Sequence, residues 1–145
     1  MRRLILRSFQ SPGDILMLTA AVRDLHAACP GQFATDVRTS AEALWLHNPH
    51  LTKLRDNEGE ILDMHYPLVH QSNQRPYHFL HGFNQFLEER LALRIPVTRF
   101  AGDIHLAPQE KQAPPPNTDL RLERTCLAGD FARELLNLPA GGSGP

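Results

Sequence analysis

An apolar run from Leu4 to Phe9 gives way, at Ser11-Pro12-Gly13-Asp14, to a stretch in which Ile15, Leu18, Val22 and Leu25 recur at helical spacing as far as Cys29-Pro30-Gly31. A short buried strand that enters a helix through a tight turn is a β-turn-α unit, and no other feature constrains this chain as much. A strand that leaves through a helix returns alongside itself, so the unit demands parallel neighbours. Phe33 to Arg38 reads as the second strand. Thr39-Ser40 then caps a second helix in which Ala41, Leu44 and Trp45 face the core until Asn48-Pro49 stops it. Leu51 to Arg55 and Ile61 to His65 have the character of two further strands, separated by the polar turn Asp56-Asn57-Glu58-Gly59. An irregular segment, Tyr66 to Pro76, precedes a helix from about Tyr77 to Leu93 with Phe79, Phe83, Phe86, Leu87 and Leu91 near one face, and Phe100 to Leu106 returns as one more strand. The pattern predicts an α/β fold, a Rossmann-like layer around a mostly parallel sheet.

A chain of 145 residues with 41% hydrophobic content buries roughly two-thirds of its unfolded surface in a single core, so one domain is expected. That domain spans residues 1–110. Beyond it, "APQEKQAPPPNTD" carries four prolines and little apolar content, and "AGGSGP" offers no packing face, so residues 111–145 read as a disordered tail or a truncated linker. Phe131, Leu135, Leu136 and Leu138 suit one short helix with nothing evident to cover. Fifteen Lys and Arg against 16 Asp and Glu leave a net charge of -1, which excludes the electrostatic footprint of a nucleic-acid binder. Cys29 and Cys126 form no C-x-x-C pattern and suit a reducing cytosol. The N-terminal apolar run breaks at Arg7, too early for a signal core or a membrane span. The expected location is cytoplasmic, with peripheral attachment to the inner membrane left open.

The turn carries the chemistry. Ligands of an open parallel sheet bind outside the carboxyl ends of its strands, where Asp14 lies. Gly13 allows close backbone approach, Pro12 stiffens the turn, and the free N–H groups of the helix start favour an anion or a hydrogen-bonded carboxylate. Asp14 is therefore a helix cap, a base that takes a proton from a substrate hydroxyl, or both. With one glycine the turn is not the G-x-G-x-x-G fingerprint of nicotinamide or flavin sites. His65, His70, His78 and His81 cluster further on, and His78 with His81 has metal-compatible i,i+3 spacing, but no Cys or acidic residue joins them at ligand spacing, so no metal is expected. A loop contact to sugar or phosphate, with Arg75 and Tyr77, suits them better. Asp63, at a strand end, either binds a sugar hydroxyl or serves the strand. The stripe of Phe79, Phe83 and Phe86 is assigned to the core.

The strand-turn-helix "LILRSFQSPGDILMLTAAVRDLHAACPG", the following "TDVRTSAEALWLHNPHL" and the later "RIPVTRFAGDIHL" together resemble the N-terminal half of glycosyltransferase family 9, which includes the ADP-heptose:lipopolysaccharide heptosyltransferases. Arg7, Gly13, Asp14, Leu18, Thr19 and Pro30-Gly31 match its opening pattern, and His47-Asn48-Pro49-His50 its stop before the third strand. The likeness covers roughly residues 3 to 110. It implies the acceptor-binding half of a GT-B architecture, with Asp14 as general base for an inverting transfer and Arg7 and Ser11 to Gly13 lining the acceptor side. It also implies no metal or other cofactor, the nucleotide-sugar donor being a co-substrate held by a second domain. The acceptor would be an envelope glycan or a protein, and one glycine fewer in the turn points away from lipopolysaccharide core. The chain ends where a linker to the donor half is expected, so it should show negligible transfer alone. The competing class is a non-catalytic Rossmann-like module holding a sugar or an anion in the same turn.

Overall fold

The computed structural model describes residues 1–67, 74 and 78–112. Two compact units divide the chain, Met1–Pro108 and Gln109–Pro145. In the first, β1 (Arg2–Ser8) leads into α1 (Pro12–Ala28), then β2 (Phe33–Thr39), a 3-10 turn (Glu42–Trp45), β3 (Glu60–Asp63) and α2 (Leu80–Leu91). A five-residue helix, α3 (Pro108–Gln112), ends the described chain. The fold is α/β. Its sheet has the order β2-β1-β3, and β1 runs parallel to both neighbours.

Leu4, Ile5 and Leu6 are all at most 1% exposed, as expected of a central strand covered on both faces. Successive residues alternate between the faces. Leu4 and Leu6 join Leu62 in the main core with Ile15, Leu18, Val22 and Leu25 of α1 and Phe83, Phe86 and Leu87 of α2. Ile5, Arg7, Asp36 and Asp63 therefore belong to the opposite face by register.

α1 is buried almost all round. Its second face lies under residues 98–103, which cross it as a polar strap. Arg23 fixes the strap by donating to the carbonyls of Ala101 and Arg99, both at 2.8 Å, and the Asp103 amide donates to the Thr19 hydroxyl at 2.8 Å. Gly102 is the point of closest approach, because a Cβ there would stand 2.3 Å from Leu16 Cδ1.

Three expected elements differ. No α-helix follows Thr39-Ser40: the Ser40 hydroxyl donates to Gln10 O at 2.7 Å and Thr39 Oγ1 receives the Trp45 indole N–H at 3.0 Å, so neither caps, and one tight 3-10 turn fills the space before Pro49. The Leu51–Arg55 strand is reduced to a single bridge between Thr35 and Leu51, because Asp36 Oδ2 captures the Leu54 amide at 2.7 Å in place of a backbone acceptor. Phe100 to Leu106 is the strap's continuation and not a strand, since Arg23 takes carbonyls that a ladder would use. α2 begins at Leu80, and Phe79 is 58% exposed while Phe83 and Phe86 enter the core.

Candidate functional site

The chain leaves β1 toward β2 on one side and later lands as β3 on the other. The crevice outside the carboxyl ends of β1 and β3 is thus the topological switch point, where ligands of open α/β sheets bind. The Gln10–Asp14 turn lies at this place. Ser11 is the N-cap of α1, with extended backbone, and Pro12 occupies the first turn, where its missing N–H costs nothing. Ser11 and Asp14 form a capping box. The Asp14 amide approaches Ser11 Oγ at 3.4 Å, while Asp14 Oδ2 accepts from the Ser11 amide at 3.2 Å and from its hydroxyl at 2.6 Å. A Cβ on Gly13 would meet only Ser11 Oγ, at 3.8 Å, so there is open space in front of the turn.

Asp14 has a partner that the pattern of the sequence did not reveal. The Tyr66 hydroxyl donates to Asp14 Oδ1 at 3.1 Å. Tyr66 follows β3, packs its ring 4.3 Å from that of Phe83, and is only 9% exposed. Gly82 makes the room: a Cβ there would stand 2.2 Å from Tyr66 Cδ1. A glycine inside a helix is otherwise unfavourable, and that was the one visible sign that something must approach α2 closely. Burial, and then the neighbouring Asp14 charge, push the Tyr66 phenol well above its ordinary range, so it remains a donor. A carboxylate oxygen accepts about two hydrogen bonds. Oδ2 is filled by Ser11, and Oδ1 keeps one lone pair beyond Tyr66. Asp14 is half-exposed, so that lone pair is the site's basic position.

Of the other expected site residues, two stand near the carboxyl ends of β1 and β3 but on the other face of the sheet. Arg7 and Asp63 are register partners on the sheet face turned away from Leu4, Leu6 and α1. They are joined by two hydrogen bonds, Arg7 Nε to Asp63 Oδ1 and Nη2 to Oδ2, the latter at 2.8 Å. The guanidinium holds the Asp63 carboxyl below its usual range, and the carboxylate in turn raises Arg7. The pair is exposed and self-satisfied. Arg75, His70 and Tyr77 lie outside the described residues. His65 sets its ring against Phe86 at 4.5 Å, and His78 and His81 present theirs edge-on to Phe100 at 5.2 and 5.6 Å. Among the described residues no group of three His, Cys, Asp or Glu side chains is arranged to hold a metal ion.

Compared with known proteins, the chain matches no family model, no curated protein and no solved structure. Among the described residues no helix is long and apolar enough to cross a membrane.

Proposed function

We propose that Met1–Pro108 is the acceptor-side half of an inverting glycosyltransferase of GT-B type, working at the cytoplasmic face of the membrane on an envelope glycan or a protein acceptor. One observation carries the reading. Asp14 stands at the β1/β3 switch point with Oδ2 fixed by Ser11, Oδ1 steadied by Tyr66, and one lone pair of Oδ1 left for a proton. A carboxylate held from two sides loses little entropy when an acceptor hydroxyl arrives, and pre-orientation of this kind is what general-base catalysis requires. Asp14 takes the proton as the hydroxyl oxygen attacks the anomeric carbon. The nucleotide diphosphate leaves toward the donor half, a domain that lies outside this chain in this reading.

The test uses an active two-domain enzyme that contains this half. Asp14→Asn keeps the size and the cap but cannot accept the proton, and should lower kcat by about 10²–10⁴-fold with nucleotide-sugar affinity unchanged. Retained turnover sinks the base role. A second reading, a binding module for a sugar or an anion, is favoured by the capping box itself, because Asp14 already serves α1 through Ser11. Under it, titration of the chain with acceptor glycans would move the amide resonances of Ser11 to Ile15, and no two-domain version would transfer sugar.

A further inference from the structure

Three histidines distant in sequence meet beside α1. His26 lies in the last turn of the helix, His50 follows the Asn48-Pro49 stop, and His105 follows the strap. The His26 and His50 rings stack with centroids 5.1 Å apart, and His105 meets His50 edge-on at 6.4 Å. One carboxylate serves them. Asp103 is 7% exposed; its Oδ2 lies 2.8 Å from His105 Nε2 and 3.9 Å from His50 Nε2, and its Oδ1 faces Arg99 at 3.3 Å. His26 turns its Nε2 to the Thr35 hydroxyl of β2 at 3.0 Å. From α1, Arg23 adds positive charge that acts on His50.

The charges decide what happens in acid. With all three rings neutral, Asp103 balances Arg99. A first imidazolium, on His50, still has Asp103 beside it. A second has no free carboxylate, because Asp24 of α1 is held by Arg23, Thr98 and Asn84. It also stacks on, or abuts, the first. We propose that this cluster is an acid-sensitive latch, in which protonation of the stacked His26–His50 pair loosens residues 98–105 from α1 and from the His50 loop.

The sign follows from the rings. Burial lowers His26 and His50 below the ordinary 6.5, and each is lowered further by a neighbouring histidine, while Asp103 opposes the effect at His50. The packed cluster therefore binds fewer protons than an opened one, and its stability, full above pH 6.5, is lost as pH falls below that value through the lowered pKa values of the two rings. A strap without regular secondary structure, held largely by side chains, is a suitable place for local opening.

Hydrogen exchange followed by NMR from pH 7.5 to 5 tests the latch. The reporters are the Asp103 amide, bonded to Thr19, and the Thr98 amide, bonded to Asp24. Their protection, corrected for intrinsic exchange, should fall as the pH drops below 6.5, while Leu4 and Ile5 of β1 stay protected. His50→Gln should abolish most of that fall. The latch is overturned if the two amides keep their protection, if they lose it together with β1, or if His50→Gln loses it as the wild type does. Ring-proton titration of the unmodified chain gives an independent reading. Midpoints for His26 and His50 at or above 6.5 also overturn it.

Discussion

Asp24 ties three parts of the domain together, and its removal should be the most costly single change of a polar side chain on α1. The carboxylate is 1% exposed. Oδ1 accepts from the Thr98 hydroxyl at 2.6 Å, the Thr98 amide at 3.3 Å and Arg23 Nε at 3.0 Å, and Oδ2 accepts from Asn84 Nδ2 of α2 at 3.1 Å. Asp24→Ala leaves the Arg23 guanidinium, 12% exposed, without its counter-charge and strands the Thr98 donors. Breaking a buried pair in this way costs about 3–5 kcal/mol. Arg23 keeps its bonds to Ala101 and Arg99, which places the expectation at the lower end. Asp24→Asn should cost less, about 1–2 kcal/mol. Its oxygen still serves Thr98 and Arg23, and its new amide group confronts Asn84 Nδ2. Asn84 can answer by turning its amide over, since Asn84 Oδ1 is buried with no partner, at the expense of its bond to Ile95 O. Urea denaturation reads both variants: with a slope of about 2 kcal/mol/M, the alanine variant should lose roughly 1.5 M in midpoint and the asparagine variant about 0.5–1 M. A loss below about 1 kcal/mol for Asp24→Ala, or equal losses for the two variants, would refute the reasoning that the strap is clamped through this carboxylate.

Gly82→Ala places a methyl group into the Tyr66 ring and should cost about 1–3 kcal/mol by urea denaturation; an unchanged midpoint would show that the ring yields freely. Ser11→Ala removes the cap oxygen and one donor to Asp14 and should cost about 1 kcal/mol, seen as a lower thermal midpoint with the same circular dichroism spectrum. The Tyr66 phenol should ionise well above 10.0 in an ultraviolet titration at intact fold, because burial and then the Asp14 charge oppose the phenolate. Asp14→Asn should bring it down toward the ordinary value. By the same linkage, Tyr66 lends stability that is complete below pH 10 and is lost as pH rises beyond it, so a flat alkaline stability profile would contradict the contact.

What was legible in the sequence was what depends on neighbours in the chain. The β1-turn-α1 unit needs an apolar run, a capping box and helical spacing, all within residues 4 to 28, and each is local. Phe33 to Arg38 and Ile61 to His65 stand out for the same reason, the latter ending in the structure at Asp63. The elements that failed are those in which a side chain intercepts a backbone group from far away. Asp36 takes the Leu54 amide, Ser40 takes Gln10 O, and Arg23 forks onto Arg99 O and Ala101 O across 76 and 78 residues. No periodicity encodes such contacts. The alternation of Phe100, Ile104 and Leu106 resembled a strand, yet these side chains are 62%, 47% and 49% exposed, because the strap presents its backbone and polar groups to α1 and turns its larger apolar groups outward. At the candidate site, Asp14 was visible as a residue of a recognisable turn, although Ser11 is the N-cap and Asp14 its capping-box partner. Tyr66 was not, because a tyrosine within an irregular segment has no pattern to betray it, and only the glycine opposite it in α2 hinted at the approach.

The two halves of the Asp14 carboxylate differ in what they depend on. Oδ2 is held by Ser11, three residues away, and this half of the site survives as long as the first turn of α1 does. Oδ1 is held by Tyr66, whose ring is seated on Phe83 and against Gly82. The position of that hydroxyl therefore depends on where α2 lies, and α2 is joined to α1 by the Asn84–Asp24 bond as well as by apolar packing. The cap is local and the Tyr66-held edge is tertiary. A change that shifts α2 leaves the helix start intact and alters the hydrogen bond from Tyr66 to Oδ1. The aim of Asp14 Oδ1 thus depends on α2 and on the polar hub at Asp24, ten residues along the helix from the carboxylate itself.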